Sequence, residues 1–418
     1  MQTMHFLFLQ GLPSPFFSRI AKRLSALGCR TTGINLCVGD RLFWRGANTV
    51  NYRGTEADWP LYIADFLDRN GITDIVLVGE QRSYHKVAIQ AATARGIRVT
   101  VADFGYMRPD WITFERDGMN GNSRFPKDPE AILKLASNLP RADLARRYED
   151  SFWTMAVADM LYHFANYFCW WLFPGYRRPY KRDHPILHYL SIGKRLLFAK
   201  SNNKRAEKEL AEIKAGNFRY FVFPLQLEHD FQIVAYSSFN SLEEAIQKVI
   251  RSFAEHAGTG THLLVKVHPL EPGLKNWGKF IYCSAKGLNI GSRVHFIDGG
   301  NLGEIISGSQ GMITVNSTSG ISALKLGSPV MTLGKAIYNV TGLTYQGQLD
   351  NYWKEASPPD PLLVDAFVDA IAYTIQIRGV FYNEPGLSAA VSEAVDRLYN
   401  RSVGLPWKTG SNLALSKA

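Results

Sequence analysis

The segment Asn316-Ser317-Thr318-Ser319-Gly320 gathers three small hydroxyls between two apolar runs, Gly311 to Val315 and Ile321 to Leu324. Read as a strand running into a helix, it offers backbone N–H groups and hydroxyls where the helix carries partial positive charge, which suits a phosphate. The same residues also make an ordinary helix N-cap. Lys266 and His268 stand two apart on another apolar stretch, so a strand there turns both to one face. Pro269 ends the ladder behind them and holds the histidine at the rim, where it could bond a phosphate or a nucleotide. Gln226, Pro269 and Asp230 complete this donor-binding set, and Asp230 is a carboxylate that could act from that side.

A second set lies in the first third of the chain. Gln10-Gly11, Gly79-Glu80-Gln81-Arg82 with His85, and Asp103-Phe104-Gly105-Tyr106-Met107-Arg108-Pro109 each follow an apolar run. Arg108 and Arg82 suit a carboxylate or phosphate through paired N–H donors, or equally a surface ion pair. Gln10, Gly11, Arg82, His85, Tyr106 and Arg108 are therefore acceptor- or carboxylate-binding candidates. Asp103 and Glu115 are the carboxylates able to activate a hydroxyl or to capture a sugar, and with His268 they form the catalytic set. No DxD-like pair stands out as a metal site, so a leaving nucleotide would be stabilised by protein groups alone. A monophosphate demands less neutralisation than a diphosphate, which favours a CMP-sugar over a UDP-sugar.

These groups need elements to hold them at one edge. His5 to Leu9 reads as a strand, a helix opens at Pro13-Ser14-Pro15 and runs to about Leu27, and a second strand lies near Thr31 to Val38. Asp74 to Val78, a helix from Tyr84 to Arg95, and Ile97 to Ala102 repeat the βαβ pattern, which predicts a parallel sheet. The alternation resumes at Arg219 to Phe223, His262 to Val267, Arg293 to Ile297, Gly311 to Val315 and Pro329 to Leu333. The expected fold class is α/β, with two Rossmann-like domains whose parallel sheets face each other across a cleft, the architecture of a GT-B glycosyltransferase. Expected boundaries are 1–145 for an acceptor domain, 146–216 for a helical linker, 217–385 for the CMP-sugar-binding domain, and 386–418 for a C-terminal helix and frayed tail.

With 418 residues, 46% apolar and 20% charged, the chain is long enough for two cores. Its net charge of +10 implies an anionic partner. The basic residues are dispersed and no helix-turn-helix or RNP-like pattern is present, so nucleic acid is not expected. Four scattered cysteines without CxxC spacing, and ten histidines without a metal-binding pattern, predict a reduced, cytoplasmic protein without structural metal. The first apolar run lacks a basic leader and is about half of a membrane span. The run from Tyr162 to Phe173 is aromatic, and Tyr176 to Arg182 adds four basic residues. That mixture suits a membrane interface with anionic headgroups, or aromatic packing between domains.

Nine motifs carry a family resemblance: QGLPSPFF, VGDRLFW, GEQRSYH, GYMRPDWITFE followed by MNGNS, PLQLEHDFQI, VKVHP, TVNSTSGISAL and LGKAIYNVTGLTYQGQLDNYW. Over most of residues 4 to 385 the chain resembles the KpsS/LipB-type capsule polysaccharide proteins, which are Kdo transferases. The resemblance implies transfer of Kdo from CMP-β-Kdo, with retention and without cofactor or metal, onto an anionic lipid such as lyso-phosphatidylglycerol. It also implies a peripheral place at the inner face of the cytoplasmic membrane, beside other capsule synthesis and export proteins, with the middle segment as a docking element. By position, His268-Pro269 and Asn316 to Gly320 would hold the CMP. The family commonly has two acids before Gly-Tyr, where this chain has Asp103-Phe104. Either Asp103 takes the missing acid's part through a small loop shift, or the chemistry is altered, as in an export or modification factor that kept the fold. Glu80-Gln81 replaces the more usual Asp-Cys.

Overall fold

The computed structural model describes residues 3–46, 48–178, 184–228 and 230–406. The chain divides into two compact units: Met1–Phe125, Leu135–Lys181 and Val368–Ala418 form unit 1, and Pro126–Lys134 with Arg182–Phe367 form unit 2. Twelve strands are described: β1 His5–Phe8, β2 Arg30–Asn35, β3 Thr49–Asn51, β4 Asp74–Val78, β5 Arg98–Phe104, β6 Trp111–Arg116, β7 Arg219–Pro224, β8 Thr261–Lys266, β9 Val294–Ile297, β10 Gly311–Thr314, β11 Val330–Thr332 and β12 Gln376–Arg378.

In unit 1 the strand order is β12-β6-β5-β4-β1-β2-β3. The five strands β1 to β5 pair in parallel, with β1 and β4 at the centre as near-continuous apolar runs. The sheet is nevertheless mixed, because β6 pairs antiparallel with both β5 and β12. Helices Phe16–Ala26 and Gly386–Tyr399 cover one face, packing Ile20, Leu24, Leu387 and Val391 on Phe6, Phe8, Val76 and Phe114. Each such fully buried side chain contributes about 2 kcal/mol. The second strand is shorter than its sequence reading. It stops at Asn35, and Val38 begins the helix Val38–Phe43, because the Asp40 carboxylate accepts from the N–H of Leu36 and Cys37 and starts a turn.

Unit 2 is a five-stranded parallel sheet ordered β11-β10-β7-β8-β9. Its core sets Phe221, Phe223, Leu263 and Val265 against Ile246, Val249 and Phe253 of helix Leu242–His256 and Trp277 of helix Trp277–Gly287.

The middle segment is not a separate piece. Helix Phe152–Phe168 and the short turn Trp170–Leu172 belong to unit 1, and the 31-residue helix Pro185–Ala215 to unit 2. Residues 179–183, which carry part of the basic run, and residues 407–418 of the expected tail lie outside the described residues. The chain also returns to unit 1 from Val368, ahead of the expected limit at 385. Pairing of β12 with β6 explains the return. No described helix is long and apolar enough to cross a membrane.

Candidate active site

The carboxyl edge of the unit 2 sheet carries every donor-binding candidate. β10, β7 and β8 are consecutive neighbours there, so the segments that follow them share one rim. Gln226 Nε2 donates to Asn316 Oδ1 at 2.9 Å and to Asp230 Oδ2 at 3.1 Å, while Gln226 Oε1 accepts from Asn316 N at 3.2 Å. Asn316 Nδ2 donates to Gln232 O at 2.9 Å. The two buried amides therefore satisfy each other, as buried amides must. Asp230 caps the helix Phe231–Tyr236 by accepting from Gln232 N at 3.0 Å, and burial pushes its carboxyl above the ordinary range.

The anion seat differs from its sequence reading. The N–H groups of Ser317, Ser319, Gly320 and Ile321 are occupied by Thr314 Oγ1, Ser317 Oγ, Ser317 O and Thr318 O. A tight turn into the helix Ser319–Lys325 uses these donors itself. What remains for a ligand is the Thr318 N–H and the half-buried hydroxyls of Ser317 and Thr318, since Ser319 Oγ donates to Ser317 Oγ at 2.9 Å. Gly320 is required by packing, since a Cβ there would lie 2.3 Å from the Tyr338 ring, whose hydroxyl donates to Ser317 O at 2.5 Å.

His268 lies just beyond β8. Its Nδ1 sits 3.1 Å from Leu270 N, and a backbone N–H can only donate, so Nδ1 is the acceptor and the neutral ring carries its proton on Nε2. Lys266 is buried, and burial lowers its pKa against the opposing charge of Asp298. The loop 268–272 is held by a residue that sequence reading missed. Arg195, on helix Pro185–Ala215, donates through Nη1 to His268 O at 3.0 Å, to Pro269 O at 3.2 Å and to Glu271 O, and through Nε to Asp298 Oδ2 at 3.1 Å. Ser191 Oγ adds a bond to Pro272 O at 2.7 Å. Nothing local marks Arg195, which lies 73 residues before His268.

In unit 1, β5 extends through Asp103 and Phe104, pairing them with Thr113 and Ile112 of β6, and Val101 pairs with Glu115. Asp103 and Glu115 therefore share one face of the sheet, and Phe104 points to the other. Since a one-residue slip in a strand reverses every side chain, a small loop shift does not bring Asp103 to the position of Phe104. Phe104 instead packs edge-on against Phe381 at 5.3 Å, and the exposed Arg108 guanidinium lies 4.9 Å over its ring and within electrostatic reach of Asp103.

Glu115 is 1% exposed and accepts from Tyr106 Oη at 2.6 Å and from Ser123 Oγ. Burial pushes its carboxyl up to about 8 against these bonds, so it is neutral at pH 7 and holds the MNGNS loop. Asn120 N donates to the same Tyr106 hydroxyl at 2.9 Å. Tyr106 is thus engaged within the fold. Glu80, absent from the expected site, accepts from Met119 N at 3.2 Å and is pushed up to about 7 by burial, with the Asp103 charge adding to the rise. Its motif, GEQRSYH, was the available signal.

Gln10 and Gly11 line a small open pocket with Phe17, Asp40, Trp44 and Tyr162. Gln10 Nε2 donates to Tyr162 Oη at 3.0 Å and to Asp40 at 3.3 Å, Tyr162 donates to Asp40 Oδ1 at 2.8 Å, and Arg82 Nη1 reaches Gln10 Oε1 at 3.4 Å. His85 does not join this group at a surface. It is fully buried, its Nδ1 bonds Gly79 O at 2.9 Å, and burial with the Arg82 charge pushes it down to about 3. A neutral interior histidine cannot touch an acceptor directly.

The family description "Capsule polysaccharide biosynthesis protein" matches residues 73–382. Capsule polysaccharide export protein KpsS of Escherichia coli is 29% identical over 381 residues, covering 90% of this chain and 96% of KpsS. Capsule polysaccharide modification protein LipB of Neisseria meningitidis serogroup A is 30% identical over 387 residues, covering 90% and 91%. Among solved structures, the Thermosulfurimonas dismutans KpsC beta Kdo 2,7 transferase aligns with a TM-score of 0.45 and 16% identity, covering 95% of this chain and 99% of that one.

Proposed function

The chain belongs to the capsule polysaccharide biosynthesis protein family, and from that premise we propose that it is a glycosyltransferase that moves Kdo from CMP-β-Kdo to an anionic lipid. The observation that carries the reading is that His268, with its ring proton on Nε2, shares one rim with Lys266 and the hydroxyls of Ser317 and Thr318. Such donors stabilise negative charge on a departing monophosphate without reorganising. Unit 2 is accordingly the donor side, and no cofactor or metal is invoked.

Unit 1 is the proposed acceptor side. Retention asks for two displacements. A carboxylate attacks the anomeric carbon as CMP leaves, and an acceptor hydroxyl then replaces the carboxylate while its proton passes to a base. Asp103 is assigned the carboxylate's part from its own face of β5, which it shares with Glu115, and not from the position of Phe104; Glu115 and Glu80 hold the loop beside it. Gln10, Gly11 and Arg82 line or border the acceptor pocket. The acceptor we propose is a lyso-phosphatidylglycerol-like lipid, used by a protein working at the inner face of the cytoplasmic membrane among capsule synthesis and export proteins.

The test is incubation of purified protein with lyso-phosphatidylglycerol and CMP-β-Kdo generated in situ, read by acceptor mass. A gain of one Kdo unit is expected. No gain, with donor generation verified and a KpsS-type enzyme active in parallel, overturns the assignment. The second reading, a non-catalytic export or modification factor, is favoured by one observation. Phe104 fills its position as a packing residue against Phe381, where the resemblance calls for an acid.

A further inference from the structure

Helix Phe152–Phe168 turns its polar side inward. Tyr162 Oη bonds Asp40 and Asn166 Oδ1 accepts from Gly39 N at 2.8 Å, whereas Trp153, Val157, Leu161 and Phe168 lie exposed at spacings that form one stripe. The following turn adds Trp170 and Trp171, which are 63% and 60% exposed. In unit 2, the first half of helix Pro185–Ala215 repeats the inversion. Ser191 and Arg195 are bonded inward to the 268–272 loop, while Leu187, Leu190, Leu197 and Phe198 are exposed. Of the 27 large hydrophobic side chains exposed among the described residues, 14 fall between Phe152 and Phe198. Concentrated apolar exposure of this kind marks a surface that something covers.

Charge identifies what covers it. Residues 160–206 hold nine Lys or Arg and a single acid, Asp183, a net +8 of the chain's +10. Arg177 and Arg178, six and seven residues after Trp171, and Lys194 and Lys200, near the exposed leucines, are themselves exposed. A bilayer bearing anionic headgroups supplies an apolar layer for the Trp, Phe and Leu side chains and negative charge for the cations at once. A nucleic acid offers no such layer. We propose that these two helix faces are lipid-docking surfaces that insert shallowly into an anionic membrane leaflet. The inference rests on the membrane placement given above only in its choice of lipid source, and its test is read without sugar donor, so the two can fail separately.

The experiment is co-sedimentation of the full chain with vesicles of phosphatidylcholine alone or mixed with phosphatidylglycerol. Binding to the mixed vesicles is expected to be about tenfold tighter or more, and to weaken with salt. The variants Trp153→Ser with Trp170→Ser and Trp171→Ser, and separately Arg177→Glu with Arg178→Glu, are expected to lower it about tenfold each. In the unaltered protein, phospholipids brominated near the headgroup should quench tryptophan emission, a readout independent of how the variants fold. Absence of sedimentation with anionic vesicles overturns the proposal, as does sedimentation that neither variant set changes. A wild-type dimer that the tryptophan variants convert to monomer also overturns it, since a second copy of the chain is then the occupant.

Discussion

His268 acts through one hydrogen atom. Because Leu270 N donates to Nδ1, the ring proton sits on Nε2, and His268→Ala is expected to abolish transfer while leaving the fold intact. Asp103→Ala should do the same if Asp103 is the carboxylate; retained turnover in either variant removes its assigned role. Glu115 gives a different kind of prediction. Its ordinary value of 4.5 applies to the unfolded chain and about 8 to the folded one, so the neutral form favours folding. That contribution is full below about pH 4.5 and is lost as pH rises through about 8. The thermal midpoint of the wild type is expected to fall between about pH 5 and pH 8, and Glu115→Gln to flatten that slope. Glu115→Ala strands the Tyr106 and Ser123 hydroxyls and should cost about 2 kcal/mol. A midpoint rising over the same range in the wild type would contradict the neutral assignment.

At the scale of elements, the rim of unit 2 is legible in sequence because each motif ends an apolar strand, and parallel strands present their carboxyl ends together. Gln226, His268 and Asn316 were found in this way. What no local pattern shows is the clamp. Arg195 closes on His268 O, Pro269 O and Asp298 from a helix that precedes β7, a contact created by packing alone. Arg195→Ala is expected to raise the donor KM and lower turnover, about tenfold in kcat/KM, without abolishing either. Arg195→Lys should fail to restore it, since one ammonium cannot bridge the loop carbonyls and a carboxylate together. An unchanged donor KM would reduce Arg195 to a structural role. The hydroxyl seat shows the converse error: composition suggested free N–H donors, and the turn's own geometry takes those of Ser317, Ser319, Gly320 and Ile321.

At the scale of the molecule, the two-unit organisation follows from two stretches of βαβ alternation, and the mixed character of the first sheet does not. β6 returns antiparallel after β5 without a helix between them, outside the βαβ pattern, and a three-residue strand such as Gln376–Arg378 carries too little pattern to be told from loop. Their pairing nevertheless ties the C-terminal region to unit 1, with Arg397, buried on helix Gly386–Tyr399, donating to Thr374 O at 2.7 Å and Gln376 O at 2.8 Å. A chain ending at residue 375 is therefore expected to lose unit 1, exposing Phe6, Phe8 and Phe114 from the face that helix Gly386–Tyr399 covers. The measurement is soluble yield and the thermal transition; a stable, cooperative product would disprove the dependence.

The sequence by itself determined the α/β class, the strands that end in polar motifs, the basic and aromatic middle segment, and the family. Each of these is written in residue type and spacing along one strand or helix. Tertiary structure alone decided which face Asp103 shares with Glu115, that His85 and Glu115 are interior and neutral, and that Arg195 holds the His268 loop. It also decided that the aromatic helix turns its apolar side outward. These properties depend on strand register, burial and partners distant in the chain, which periodicity within a segment does not encode.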